Sequence, residues 1–228
     1  MTLTPIDDHV DGNGHADGHD HVDGNDHLDG HDHVDGNDHV DAHDHVELPW
    51  YHLPDYRCFG CSPHNPNGFQ LRFTRIEGGL RTSFRLGRGY ESYPGVVHGG
   101  LLGVICDEIM GNLIVLEHGR IAFTTGMRMR YVLPVGVGQP YECVARLRDS
   151  GAVIHTDAEI RDAAGALVAM SSASYQTVPL EVAGQRLAIS EPELGLLRDA
   201  FVATGLTPAP AAPAVPDQTP EESHAHHD

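Results

Sequence analysis

Apolar residues recur at every second position in six stretches of this chain. Phe69, Leu71 and Phe73 alternate with Gln70, Arg72 and Thr74, and Leu80, Thr82, Phe84 and Leu86 alternate with Arg81, Ser83 and Arg85. The pattern returns at Met127, Met129, Tyr131 and Leu133, and at Tyr141, Cys143, Ala145 and Leu147. It continues at Ile154, Thr156, Ala158 and Ile160, and at Leu167, Ala169, Ser171, Ala173 and Tyr175. A period of two with one polar face predicts half-buried antiparallel strands. Glu77–Gly79, Asp149–Gly151 and Asp162–Gly165 supply the turn residues between neighbours.

One segment breaks the rhythm. Gly99–Glu117 is apolar almost all round, through Leu101, Leu102, Val104, Ile105, Ile109, Met110, Leu113, Ile114, Val115 and Leu116. A helix without a polar face belongs inside its domain. The order is strands, one buried helix, then a run of antiparallel strands, which predicts an α+β fold with a single sheet wrapped around a central helix. A shorter amphipathic helix over about Glu191–Thr204 would pack outside it. Cys106 and Cys143 fall on apolar faces and read as core.

Composition divides the chain. The segment 1–46 holds 13 Asp, 10 His and no Arg or Lys, and so carries −13 of the total −19. Hexapeptides such as DGHDHV and DGNDHV run without a break from Asp17 to Val46. A solenoid with a six-residue period needs more apolar residues than the one per unit found here, and thirteen carboxylates oppose compaction. The expected organisation is a disordered tail at residues 1–48, a globular domain at 49–180, a helical extension at 181–206, and a Pro/Ala-rich, His-containing tail at 207–228. The remaining −6 offers no basic surface for nucleic acid or an anionic membrane. All 14 basic residues are Arg, which removes lysine Schiff-base chemistry. No run of about 18 apolar residues predicts a membrane span, and the acidic N-terminus lacks the apolar region of a signal peptide. Four cysteines are too few for a disulfide scaffold. The expected compartment is the cytoplasm.

The chemistry concentrates at the apolar helix. Asp107 and Glu108 interrupt it, and a carboxylate in such surroundings is costly unless it is paired or its pKa rises. Asp107 shares a narrow stripe with Gly100, Gly103, Val104, Gly111 and Ile114, where a backbone or a ligand could approach closely. It reads either as a structurally paired acid or as a catalytic one. Pro94-Gly95-Val96-Val97-His98-Gly99-Gly100 brings a turn and then two glycines to the helix start. Free N–H groups there can stabilise an oxyanion, while His98 would cap the helix or orient the loop.

These residues resemble the PaaI-like branch of hotdog-fold thioesterases. The likeness rests on His98-Gly99-Gly100, an acid seven residues later, and Thr124 ahead of an alternating strand that ends in Tyr131-Val132-Leu133-Pro134. The leader Cys58-Phe59-Gly60-Cys61 followed by Asn65-Pro66-Asn67-Gly68-Phe69 also resembles one found in many members. The resemblance implies hydrolysis of an acyl-CoA-type thioester without a required cofactor. Asp107 would be nucleophile or general base, the Gly99 N–H the oxyanion donor, and Thr124 the group that positions water or the acid, with Thr125 as its fallback. His98 would belong to the same catalytic group, and Gly100 to the substrate-binding surface. Ser92 stands where some members place an Asn. Ser62 replaces the Gly that commonly follows the second Cys.

The resemblance also implies a homodimer or a dimer of dimers. Gly99 and Asp107 are eight residues apart, about 12 Å along one helix, a separation that two antiparallel helices from different chains would close. Cys58 and Cys61 could be packing thiols, metal ligands together with His64, or a redox pair. The HxH pairs His19–His21, His31–His33 and His43–His45 suggest that the N-terminal tail binds Ni²⁺ or Zn²⁺. Two alternatives to hydrolysis stand: a non-enzymatic metal-handling protein that uses the domain as an oligomeric platform, and an acyl-thioester binder or dehydratase on the same fold.

Overall fold

The computed structural model describes residues 45–187 and 189–207. Six strands form one antiparallel sheet in the order β1 (Thr74–Ile76), β2 (Gly79–Arg85), β6 (Pro140–Ser150), β7 (Val153–Asp162), β8 (Leu167–Val178) and β5 (Ile121–Tyr131). Between β2 and β5 the chain makes a small hairpin, β3 (Glu91–Tyr93) with β4 (Val96–Val97), and then the 20-residue helix α1 (Gly99–His118). The helix packs against β2, β5, β6, β7 and β8. This is the single sheet around a central helix that the order of apolar patterns predicts, and the hotdog fold that the resemblance implies.

The helix forms where it does because both ends are marked. His98 is its N-cap, with the imidazole accepting from the Gly100 N–H, and Gly119 closes it in the left-handed region at φ 60°. By length and mean hydropathy, 1.6, α1 could cross a bilayer, although the sequence suggested no such segment. Burial in the sheet explains its composition, since Ile105, Cys106, Ile109, Met110 and Ile114 are wholly enclosed. From the facing strands Phe84, Cys143, Ala145, Ala158, Ile160 and Ala169 complete the core.

Two short helices follow, α2 (Leu180–Arg186) and α3 (Glu191–Ala203). Ser190 and Glu193 cap α3 reciprocally. Its buried face, Leu194, Leu197 and Phe201, builds a second cluster with Val115, Ile121 and Val178, and Trp50 stacks edge-on against Phe201 at 5.8 Å.

Three expectations need correction. Phe69, Leu71 and Phe73 are buried as the alternation requires, but the strand starts only at Thr74. The Phe69 and Leu71 N–H groups donate to Phe59 and Gly60 of the leader, and Gln70 adopts φ 50°, which breaks a regular ladder. Leu48, assigned to the disordered tail, is fully buried in the core, and the Val46 N–H donates to the Phe73 carbonyl. The ordered domain therefore begins ahead of residue 49. On β5, Met127 (40% exposed) and Tyr131 (54%) lie open rather than buried. Strand β5 ends the sheet, so among the described residues nothing pairs with its outer edge.

Candidate functional site

Asp107 lies half-buried midway along α1, with two hydroxyls converging on one of its oxygens. Thr124 Oγ1 donates to Asp107 Oδ1 at 2.7 Å, and Tyr175 Oη donates to the same oxygen at 2.9 Å. Thr124 and Tyr175 are register partners across β5 and β8, so the sheet itself sets both donors under the acid. Asp107 Oδ2 has no hydrogen-bond partner among the described residues. The Tyr175 hydroxyl is held protonated, first by burial and then by the adjacent Asp107 carboxylate, which raises its pKa.

Directly after Thr124 the β5–β8 register shifts by one residue. Such bulges re-aim side chains. Here the Thr125 hydroxyl turns to Ser174, 3.0 Å from both its carbonyl and its hydroxyl oxygen. Of the two adjacent threonines, Thr124 is the one that meets Asp107.

The helix start behaves differently from the acid. His98 Nδ1 accepts from the Gly100 N–H at 3.0 Å, so that N–H is committed to the cap and is not available to a substrate. The Gly99 N–H, first in the helix, has no acceptor among the described residues. A side chain at Gly99 would press on the Tyr131 ring, whose hydroxyl donates to the Gly99 carbonyl at 3.0 Å. Ser92 lies in the β3–β4 hairpin with its hydroxyl 3.4 Å from the Val96 carbonyl. Neither Ser92 nor the helix start lines the cavity at Asp107.

That cavity has a volume of about 170 Å³ and is lined by Asp107, Thr124 and Tyr175 together with Trp50, Tyr56 and Glu108. A wider depression of about 360 Å³, lined by Phe84, Arg85, Tyr141, Glu142 and Arg161, shares none of these residues. Trp50, Tyr56 and Tyr175 were missed as site residues. Only Tyr175 had left a signal, because a tyrosine on a buried strand face needs a partner for its hydroxyl.

Glu108 turns to the leader. Its Oε1 lies 2.9 Å from Cys58 Sγ, and Asn112 Nδ2 donates to its backbone carbonyl at 2.8 Å. Asn112 in turn accepts from Trp50 Nε1 at 3.2 Å. Burial, then the Cys58 sulfur, pushes the Glu108 carboxyl up to about 8. Cys58 is lowered to about 5, first by hydrogen bonding from Cys61 and also by hydrogen bonding from Glu108 and the backbone N–H groups of Cys61 and Gly60. The Cys61 thiol is pushed far up by the neighbouring Cys58 sulfur and by burial. His64, suggested as a third ligand for this pair, instead has Nε2 3.2 Å from the Tyr51 carbonyl. Glu108 occupies that third position.

Of the tail histidines, His19, His21, His31, His33 and His43 lie outside the described residues. His45 is exposed, bridges to Thr74, and joins no group of metal-ligating side chains among the described residues.

Residues 94–169 match a family model described as the thioesterase superfamily. The matched segment runs from the turn before His98 through α1 into β8 and so contains Gly99, Asp107 and Thr124. No curated protein matches the chain. Similar solved structures include a thioesterase superfamily protein, 24% identical over 50% of this chain and 57% of that one, TM-score 0.47. A Streptococcus mutans protein crystallised bound to acetyl CoA is 19% identical over 55% of this chain and 95% of its own, TM-score 0.47. The Escherichia coli PaaI protein of the phenylacetic acid degradation operon is 16% identical over 47% and 79%, TM-score 0.45. This chain thus spans little more than half the length of the first of the three.

Proposed function

We propose that the thioesterase-superfamily domain of this chain hydrolyses an acyl-CoA-type thioester at Asp107. The observation that carries the reading is the acid itself: Oδ1 is fixed by Thr124 and Tyr175, while Oδ2 is left free at the edge of a cavity. A carboxylate held this way can attack the thioester carbonyl directly, or take a proton from a water that attacks it. Direct attack expels the thiolate and leaves an acyl anhydride on Asp107 that a water then opens to free the carboxylic acid, whereas the water route expels the thiolate and forms the acid in one addition–elimination. Thr124 and Tyr175 orient the acid, and His98 supports the helix start by capping it rather than by touching substrate. The Gly99 N–H is the oxyanion donor. It lies about 12 Å along the helix from Asp107, so the donor that serves each Asp107 comes from a second chain.

The outer edge of β5 supports that pairing. The eleven-residue strand β5 pairs with β8 alone among the described residues and exposes Met127 and Tyr131, and a long open edge of this kind invites a second strand. Mixing Asp107→Ala with Gly99→Pro subunits tests the shared site. Mixed dimers should regain activity that neither homodimer has, and confirmed mixed dimers without activity would refute it.

The activity itself is tested by assaying the purified protein against short, medium, long and aryl acyl-CoAs. Turnover of at least one is expected without added metal, and no turnover of any thioester would overturn the reading. The HxH repeats of the tail support a separate role in binding Ni²⁺ or Zn²⁺. Calorimetric titration of the full chain should show several ions bound with modest affinity, weakening as pH falls through about 6.5.

A further inference from the structure

We infer that Cys58, Cys61 and Glu108 form a site for one borderline-soft divalent ion, Zn²⁺ or a similar metal, that ties the leader to the central helix. The inference is independent of the thioesterase reading, since it uses neither Asp107 nor the oxyanion donor. It begins with distance. One ligand atom from each of the three residues lies within 4.8 Å of the other two. Ligand bonds of about 2.0–2.3 Å place two donors on one ion no more than about 4.6 Å apart, so small side-chain adjustments bring all three onto a common centre. The donors are also of a kind: two sulfurs and a carboxylate suit Zn²⁺ and exclude Mg²⁺ or Ca²⁺, which take oxygen ligands.

Charge gives a second argument. Three acids converge on a spot where Cys61 is buried and Cys58 and Glu108 are half-buried. Glu108 forms no ion pair with any Arg or His among the described residues. Its Oε1 lies instead against the Cys58 sulfur, at 2.9 Å. A divalent ion held there brings the −3 of three ionised ligands to a net −1.

The surroundings are those of a supported site. Tyr56 Oη lies 3.2 Å from Cys61 Sγ, the Gly60 N–H donates to Cys58 Sγ at 3.3 Å, and Asn112 contacts both Glu108 and Cys61. Such partners orient ligands around a metal. Three protein ligands leave the fourth tetrahedral position to water.

The test uses full-length protein, stripped with chelator, kept reduced by a phosphine, its four thiols counted, and then titrated with Co²⁺. A near-ultraviolet sulfur-to-cobalt charge-transfer band should rise to saturation at one ion per chain and vanish when Zn²⁺ is added. Imidazole and carboxylate ligands give no such band, so Co²⁺ on the His-rich tail does not obscure it. Cys58→Ser should abolish the band. Glu108→Gln keeps both thiols and nearly the same shape, and should weaken Zn²⁺ competition by at least about tenfold. Absence of the band in fully reduced wild-type protein overturns the proposal. So does a band unchanged in folded Cys58→Ser, Zn²⁺ competition undiminished in folded Glu108→Gln, or a Cys58–Cys61 disulfide whose reduction yields no band.

Discussion

Two adjacent carboxylates on α1 live in opposite chemical worlds. Asp107 faces β5 and β8 and receives two hydroxyl donors on one oxygen. Glu108, one position further round the helix, faces the leader and meets two sulfurs and an amide. The first environment positions a carboxylate and leaves one oxygen free to react. The second gathers a carboxylate and two sulfurs within 4.8 Å of one another. A helix rotates about 100° per residue, so a single step along the sequence suffices to separate the acid held by Thr124 and Tyr175 from the one that faces Cys58, even though both line the same cavity.

The sharpest way to break this contrast is to remove the reactive acid. Asp107→Asn should lower kcat by about 10²–10⁴-fold, the range for a positioned acid or base, while the melting temperature holds and the Co²⁺ band stays unchanged. Steady-state assays on the preferred acyl-CoA decide it. Turnover near the wild-type rate would take Asp107 out of the mechanism.

A smaller loss should separate the two threonines. Thr124→Val removes a donor from Asp107 and should cost about tenfold in kcat, as expected for one hydrogen bond to a charged group. The Thr125 hydroxyl bonds Ser174 instead, so Thr125→Val should leave kcat within about twofold. Equal losses from both would mean that the bulge after Thr124 does not hold during turnover.

The sequence made one of these two regions far easier to read than the other. Period two and the all-apolar segment were enough to place β2, β5, β6, β7, β8 and α1, because each pattern is local. Gly99 and Asp107 lie on one helix and could be related by counting residues. Tyr175 reaches Asp107 across 68 positions, and Cys58 reaches Glu108 across 50, so only the folded sheet and leader reveal those contacts. The leader also explains the misplaced first strand. Its carbonyls capture the N–H groups of Phe69 and Leu71, which a periodicity argument assigns to a sheet. The alternation on β5 was read as buried because periodicity does not tell an edge strand from a central one, and β5 lies at the sheet's edge.

On the leader side, Gly60 offers a way to disturb Glu108 alone. A Cβ at Gly60 would be driven into the Cγ of Glu108, a part of the side chain too close to the helix to swing away. Gly60→Ala should therefore cost about 1–3 kcal/mol of stability, the usual range for overpacking, and weaken Co²⁺ binding. Denaturant melts and the cobalt titration measure the two effects. An alanine accepted without loss of either would show that the leader is not closely seated on α1.

The finest test concerns protons on the leader side, measured in chelator so that no metal contributes. Burial and the Cys58 sulfur raise the Glu108 carboxyl to about 8, while hydrogen bonding lowers the Cys58 thiol to about 5. Because its folded pKa is raised, Glu108 contributes stability that is full below the ordinary carboxylate range and lost as pH rises through about 8. Cys58 is depressed, so its contribution is full above the ordinary thiol range and lost as pH falls through about 5. Between those limits the unfolded chain ionises the carboxyl and the folded chain ionises the thiol. Each binds one proton on the pair, so the pair adds no slope to the wild-type stability profile there. Glu108→Gln removes the falling contribution, and its stability should rise with pH relative to wild type across that window. Cys58→Ser removes the rising contribution, and its stability should fall with pH, since burial alone still raises Glu108. All three proteins share every other titratable group, so those contributions cancel from the comparison. Denaturant melts across the window read the slopes directly. Two variants that both parallel the wild type would show that folding does not exchange the proton between Glu108 and Cys58.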